Sequence, residues 1–153
     1  MRGLTQRIEV TLDTLLESVN LAEQITVRVA EIVGFDEEQR YRIGMSVREA
    51  VINAYEYGNA QDRARRIYLV FELLAAELVI HVRDQGPGFR LEDVPDPLAE
   101  ENLLKTSGRG LFLIRAFMDQ LRVIFAPAGG AEVIMTKRLP LPHSPAAAGA
   151  SEG

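Results

Sequence analysis

The stretch Leu78-Val79-Ile80-His81-Val82-Arg83-Asp84-Gln85-Gly86-Pro87-Gly88-Phe89 decides how the chain folds, because an apolar, strand-forming run feeds without a break into a carboxylate and two glycines. Asp84 offers a fixed hydrogen-bond acceptor at the strand end. The glycines let the backbone approach a flat or phosphorylated ligand and take φ values that other residues avoid. By itself this pattern reads first as a plain strand-to-loop turn, since Gly and Pro punctuate such turns in any domain. The segments on either side give it meaning.

Immediately upstream, residues 66 to 74 and 77 to 83 are two β-rich runs separated by Ala75-Ala76, the pattern of a hairpin whose second strand delivers Asp84. Before them, Asp36-Glu37-Glu38 puts negative charge at the positive end of a helix that runs to about Tyr57, where Gly58-Asn59 stops it. Its apolar stripe is Ile43, Val47, Ala50, Val51 and Ala54. At about 100° per residue, Glu49 and Asn53 fall together on another side, one turn apart. Ile52 and Met45 lie near that side, which puts the polar pair at the edge of a cavity, although an i, i+4 Glu/Asn pair taken alone reads first as a solvated face. Earlier still, Ile8, Val10 and Leu12 alternate with polar residues as a half-buried strand over residues 5 to 12. Asp13 or Thr14 is then placed to cap a helix that Gly34 ends.

Downstream of Phe89, residues 90 to 107 carry Pro95, Pro97 and five acidic side chains without periodicity, and a long irregular segment between two glycine turns reads as a lid. Gly108-Arg109-Gly110 then opens into the apolar helix Leu111-Phe112-Leu113-Ile114. Glycines at a helix start leave backbone N–H groups free at its positive end, which suits phosphate. A last hairpin, 121 to 126 and 132 to 139, turns at Pro127-Ala128-Gly129-Gly130. From Pro140 the composition is that of a disordered tail.

The composition narrows the function. The 153 residues, 47% of them hydrophobic, suffice for one domain with its own core. Without Cys there are neither disulfides nor thiolate metal sites. A net charge of −5 argues against general nucleic-acid binding, and no apolar run reaches the roughly 20 residues of a membrane span. A cytoplasmic protein is the expectation. His81 sits in mid-strand with no second His nearby and is assigned no chemistry.

Three motifs therefore stand in fixed order: Glu49 and Asn53 on a helix, Asp84-x-Gly86-x-Gly88 at a strand end, and Gly108-Arg109-Gly110 at a helix start. In this the chain resembles the Bergerat-fold (GHKL) ATP-binding superfamily, and within it the bacterial anti-sigma-factor serine/threonine kinases. Glu49 to Ala54 with Tyr57-Gly58-Asn59 is similar to the N-box, Asp84 to Phe89 to the first glycine box, and Gly108 to Ile114 to the second. Asp96-Pro97-Leu98 ahead of the second box also looks like that subfamily.

The resemblance implies an α+β fold, a Bergerat-type two-layer sandwich in which a mostly antiparallel mixed sheet is covered on one face by about three helices. It implies one kinase domain over residues 1–139, with the lid at about 90–107 and the tail at 140–153. It implies ATP and Mg2+ as cofactors, with Asn53 the metal ligand, and Asp84 accepting from the adenine amino group. Asp84, Gly86, Gly88, Gly108, Arg109, Gly110 and Leu111 line the nucleotide, and Glu49 and Arg109 are the catalytic pair. The implied partners are an anti-anti-sigma (STAS-like) protein as phosphoacceptor and a sigma factor that is sequestered, with a homodimer suggested and no nucleic acid or membrane. Tyr57 departs from the family pattern, which often has His there. Ile134 is expected where many members carry a Thr hydroxyl near adenine. The alternative from another class is a catalytically inactive ATP-binding module. A histidine-kinase catalytic domain and an ATP-driven clamp fit less well, lacking a phosphoacceptor helix and a transducer domain.

Overall fold

Alternation along the strands sets the architecture. Ile67, Leu69 and Phe71 alternate with Arg66, Tyr68 and Val70, and Leu78, Ile80 and Val82 with Val79, His81 and Arg83, so one face of each strand is apolar and buried. The computed structural model describes residues 4–86, 109–126 and 129–140. In these, β1 (Leu4–Asp13), β2 (Arg66–Leu74), β3 (Glu77–Arg83), β4 (Gln120–Phe125) and β5 (Ala131–Arg138) form one sheet in the order β1-β2-β3-β5-β4. Among the described strands every pairing is antiparallel. The described sheet is therefore antiparallel throughout, in keeping with the mostly antiparallel sheet that was expected.

The helices cover the apolar face. They are α1 (Leu16–Val33), α2 (Glu37–Asn53) and α3 (Arg109–Phe117). Val19, Ala22 and Ala30 of α1, Ile43, Val47, Ala50 and Val51 of α2, and Ile114 of α3 join the strand residues in one core. A fully buried side chain such as Phe71 or Ile80 stabilises by roughly 1.5–3 kcal/mol. Gly44 lets α1 and α2 approach closely, since a Cβ there would lie 2.8 Å from Val27 Cγ2. The described residues form the expected two-layer sandwich, with three helices among them on one face of the sheet.

Helix ends follow local chemistry, with one departure from expectation. Asp36 Oδ1 accepts from the Gln39 amide at 2.8 Å and caps α2. Gly34, at φ 112°, closes α1 in the left-handed conformation that favours glycine. Neither Asp13 nor Thr14 caps α1, whose N-cap position is Leu15. Asp13 remains in β1, where its carbonyl accepts from Ser18 Oγ at 2.7 Å. Thr14 is buried and its hydroxyl donates to the Arg65 carbonyl at 2.7 Å.

The second departure lies at the end of α2. The α-helix stops at Asn53, and Ala54–Gly58 form a π turn closed by the Asn59 amide bonding the Ala54 carbonyl at 2.7 Å. Such one-residue widenings of a helix gather at functional sites. No described helix is long and apolar enough to cross a membrane. The lid at 90–107, Gly88, Gly108 and the tail beyond Pro140 lie outside the described residues, as does the side chain of Arg109.

Candidate functional site

The site is mounted on the edge of the helical layer, where α2 and its π turn meet the end of β3 and the start of α3. Glu49 and Asn53 sit one turn apart on α2, and both are half-buried. Gly110, at the start of α3, stands against them: a Cβ at Gly110 would lie 3.0 Å from Glu49 Oε1 and 3.4 Å from Asn53 Nδ2. A side chain here would crowd Glu49, so glycine eases the close approach of the N-terminal turn of α3 to the carboxylate. The first turn of a helix carries N–H groups that have no partner within the helix, and partial positive charge.

Just past the C-terminal end of α2, the π turn brings Gly58 against Asp84. A methyl group at Gly58 would overlap Oδ2 and Cγ of Asp84, and one at Gly86 would overlap the Gly58 carbonyl. Asp84 is only 8% exposed. Its Oδ1 accepts from the Gly86 amide at 2.9 Å and the Ala131 amide at 3.0 Å, and among the described residues these bonds leave Oδ2 for another donor. Burial raises the Asp84 pKa above the ordinary carboxylate value. The two backbone donors and the positive charge of Arg65 pull the other way.

β5 closes the far wall. The Asp84 amide donates to the Ala131 carbonyl at 3.0 Å, and the Gly130 amide donates to the Gly86 carbonyl at 2.9 Å. Gly130 has φ 91°, and a Cβ there would come within 2.5 Å of the Asp84 carbonyl. The sequence presents Gly130 only as hairpin punctuation, and its place against Asp84 comes from β3–β5 pairing.

The same pairing corrects the place given to Ile134. Val133 and Met135 are buried toward the helices, whereas Ile134 pairs with His81 on the opposite face of the sheet. The β5 residues beside Asp84 are Gly130 and Ala131. Tyr57, at 56% exposure, points to solvent rather than packing in the core. Leu111 is buried in the core, so it can serve a ligand only through its backbone. Glu49, Asn53, Asp84, Gly86 and Gly110 are thus brought to one side of the molecule.

His81 makes no part of this cluster. On the open face of the sheet its Nδ1 lies 2.7 Å from Glu132 Oε2 and its Nε2 lies 2.7 Å from Glu72 Oε1. Among the described residues, no group of three or more His, Cys, Asp or Glu side chains is arranged to hold a metal ion. A cation at the Asn53 corner would take a single amide oxygen from the protein and the rest from phosphate and water. That donor set suits Mg2+.

Comparison with known proteins places this geometry. The model of the histidine kinase-like ATPase domain family matches residues 12–137. An anti-sigma F factor of Oceanobacillus iheyensis is 36% identical over 95 residues, which cover 61% of this chain and 65% of that protein. A serine-protein kinase RsbW of Listeria innocua is 24% identical over 143 residues, or 90% of each chain. Among solved structures, the RsbU and RsbW domains of a Mycobacterium tuberculosis protein superpose with a TM-score of 0.66 at 21% identity, covering 90% of this chain and 34% of that one.

Proposed function

We propose, from the premise that this chain belongs to the histidine kinase-like ATPase domain family, that it is an ATP-dependent serine/threonine protein kinase of the anti-sigma-factor type. It phosphorylates an anti-anti-sigma partner and sequesters a sigma factor, a partner switch that regulates transcription. Similarity to proteins named anti-sigma F factor and serine-protein kinase RsbW supports the reading. The observation that carries it is the position of Gly110 against Glu49 and Asn53, which joins a phosphate-binding helix start to a carboxylate and an amide.

Each residue has a role in that reaction. Asp84 Oδ2 accepts from the adenine amino group, selecting adenine over guanine. The amides of Gly108 to Gly110, with the Arg109 guanidinium, hold the β- and γ-phosphates and offset charge that develops in transfer. Asn53 is the side chain that holds Mg2+, which neutralises phosphate charge when bound. Glu49 orients the attacking Ser or Thr hydroxyl and takes its proton. A bond forms between that oxygen and the γ-phosphorus, and the bond to the β–γ bridging oxygen breaks. Gly86 gives the adenine end a close backbone wall, and Gly88 is assigned to nucleotide binding from the motif alone. We further infer a cytoplasmic homodimer, by analogy with the family.

The test is transfer of labelled γ-phosphate to a purified STAS-type partner, with pull-down of a sigma factor in the presence and absence of ATP. Labelled partner Ser or Thr is expected. ATP binding without any transfer would instead leave a nucleotide-gated binding module.

A further inference from the structure

We propose that Asn59 is the positioning residue for Asp84, and that through it the π turn sets the preference for adenine over guanine. The inference rests on the nucleotide reading above. Asn59 is fully buried. Its Oδ1 accepts from the Gln85 amide at 2.7 Å, and its Nδ2 donates to Thr14 Oγ1 at 2.8 Å and to the Arg66 carbonyl at 3.0 Å. One short side chain thereby ties the β1–α1 junction, the entry to β2 and the exit from β3 to the end of the π turn. The set requires one acceptor and two donors on a two-atom stem. Asp has no donor and Ser only one, while Gln is longer by a methylene.

The consequence falls on Asp84 from both sides. On one side stands Gly58, the residue before Asn59, whose α-carbon abuts the Asp84 carboxylate and whose carbonyl abuts Gly86. On the other stands Gln85, the residue after Asp84, whose amide Asn59 holds. A lone acceptor discriminates between bases only if it is aimed, because hydrogen bonds weaken steeply off-line.

The backbone after Asn59 points the same way. Ala60 and Gln61 are consecutive non-glycine residues at φ 51° and 59°. Left-handed pairs of this kind persist only where their surroundings over-determine them. Here Gln61 N donates to the Tyr55 carbonyl at 2.8 Å and Asp62 N to the Asn59 backbone carbonyl at 2.9 Å, which hold the pair on either side of the buried Asn59.

Three variants test the role: Asn59→Ala, Asn59→Asp and Thr14→Val, each titrated with MgATP and MgGTP well below its unfolding temperature. Thr14→Val cuts the Thr14 links but keeps the bond to Gln85. Asn59→Ala is expected to weaken ATP binding about tenfold or more and to narrow the ATP-over-GTP ratio, the loss of one aimed buried hydrogen bond. Asn59→Asp, which keeps an acceptor for Gln85, should fall between Asn59→Ala and wild type, and Thr14→Val should keep the wild-type ratio. Should Asn59→Ala not fold, Asn59→Asp against Thr14→Val carries the comparison. A second reading needs no nucleotide: the Gly86 and Ala131 amide resonances, both set by Asp84 Oδ1, should move in the Asn59 variants and stay in Thr14→Val. Unmoved amides, or equal loss of selectivity in Thr14→Val, would overturn the positioning role. Wild-type protein that binds no nucleotide would instead sink the kinase reading, and the amide resonances would then decide the placement of Asp84 alone.

Discussion

The α-carbon of Gly58 faces the carboxylate of Asp84 with no room for a methyl group between them. Gly58→Ala must push Asp84 off its bonds to the Gly86 and Ala131 amides. The expected cost is about 1–3 kcal/mol of stability from overpacking, with a native circular dichroism spectrum retained. ATP affinity, measured by calorimetry, should fall far more than that of a variant equally destabilised in the core. Unchanged affinity would remove Asp84 from the nucleotide site.

Asp84→Asn leaves an acceptor for Gly86 and Ala131 and puts a donor where the adenine amino group donates, so ATP binding should weaken with the fold intact. Its stability should also depend differently on pH. Burial raises the folded pKa of Asp84 above its unfolded value, so its favourable contribution is complete below the ordinary carboxylate range, about pH 4. That contribution is lost as pH rises through the folded value. Wild-type stability minus that of Asp84→Asn should therefore decline with rising pH and then level off. A difference that climbs with pH contradicts the burial of this carboxylate.

Glu49→Gln keeps the packing against Gly110 and removes the base. Phosphoryl transfer should drop by about 10²- to 10⁴-fold while ATP still binds. Asn53→Ala should show the complementary defect, a higher Mg2+ requirement for ATP binding. Loss of ATP binding in Glu49→Gln with transfer chemistry otherwise normal would exchange the two roles.

Ala60 is exposed and left-handed at φ 51°. Ala60→Gly relieves about 1–2 kcal/mol of steric strain and adds about 0.4–1 kcal/mol of unfolded-chain entropy, so a small net gain in denaturant midpoint is expected. A clear loss would mean that the left-handed assignment of this turn is wrong.

The strands and helices were legible because their apolar spacing is unbroken: Leu78, Ile80 and Val82 read as a strand, and Ile43, Val47, Ala50 and Val51 as a helix face, from periodicity alone. The pairing of Glu49 with Asn53 was legible for the same reason. What lay beyond reach was non-local. The approach of Gly110 to Glu49 and of Gly130 to Asp84 depends on how segments far apart in the chain dock. The capping of α1 misled because Asp13 and Thr14 have the right chemistry at the right place, but β1 extends through Asp13 and the Arg65 carbonyl claims the Thr14 hydroxyl. Ile134 misled because its strand position is fixed only by non-local pairing: it lies opposite His81, and Gly130 and Ala131, at the start of β5, are the residues beside Asp84.

The π turn divides one continuous helical rod into two phases. Residues up to Asn53 keep the rotation fixed by the Asp36 cap, whereas the extra residue in the widened turn sets Gly58 and Asn59 about 100° behind the phase that an unbroken α-helix would give them. Glu49 and Asn53 are thus indexed to the start of the helix, and the wall beside Asp84 to its end. Were these residues wound as a uniform α-helix, Gly58 would turn away from Asp84 and the base-reading end would fall out of alignment, while the phosphate end stayed where it is. The two halves of the pocket are in that sense separately adjustable, with the five-residue turn as the indexing joint between them.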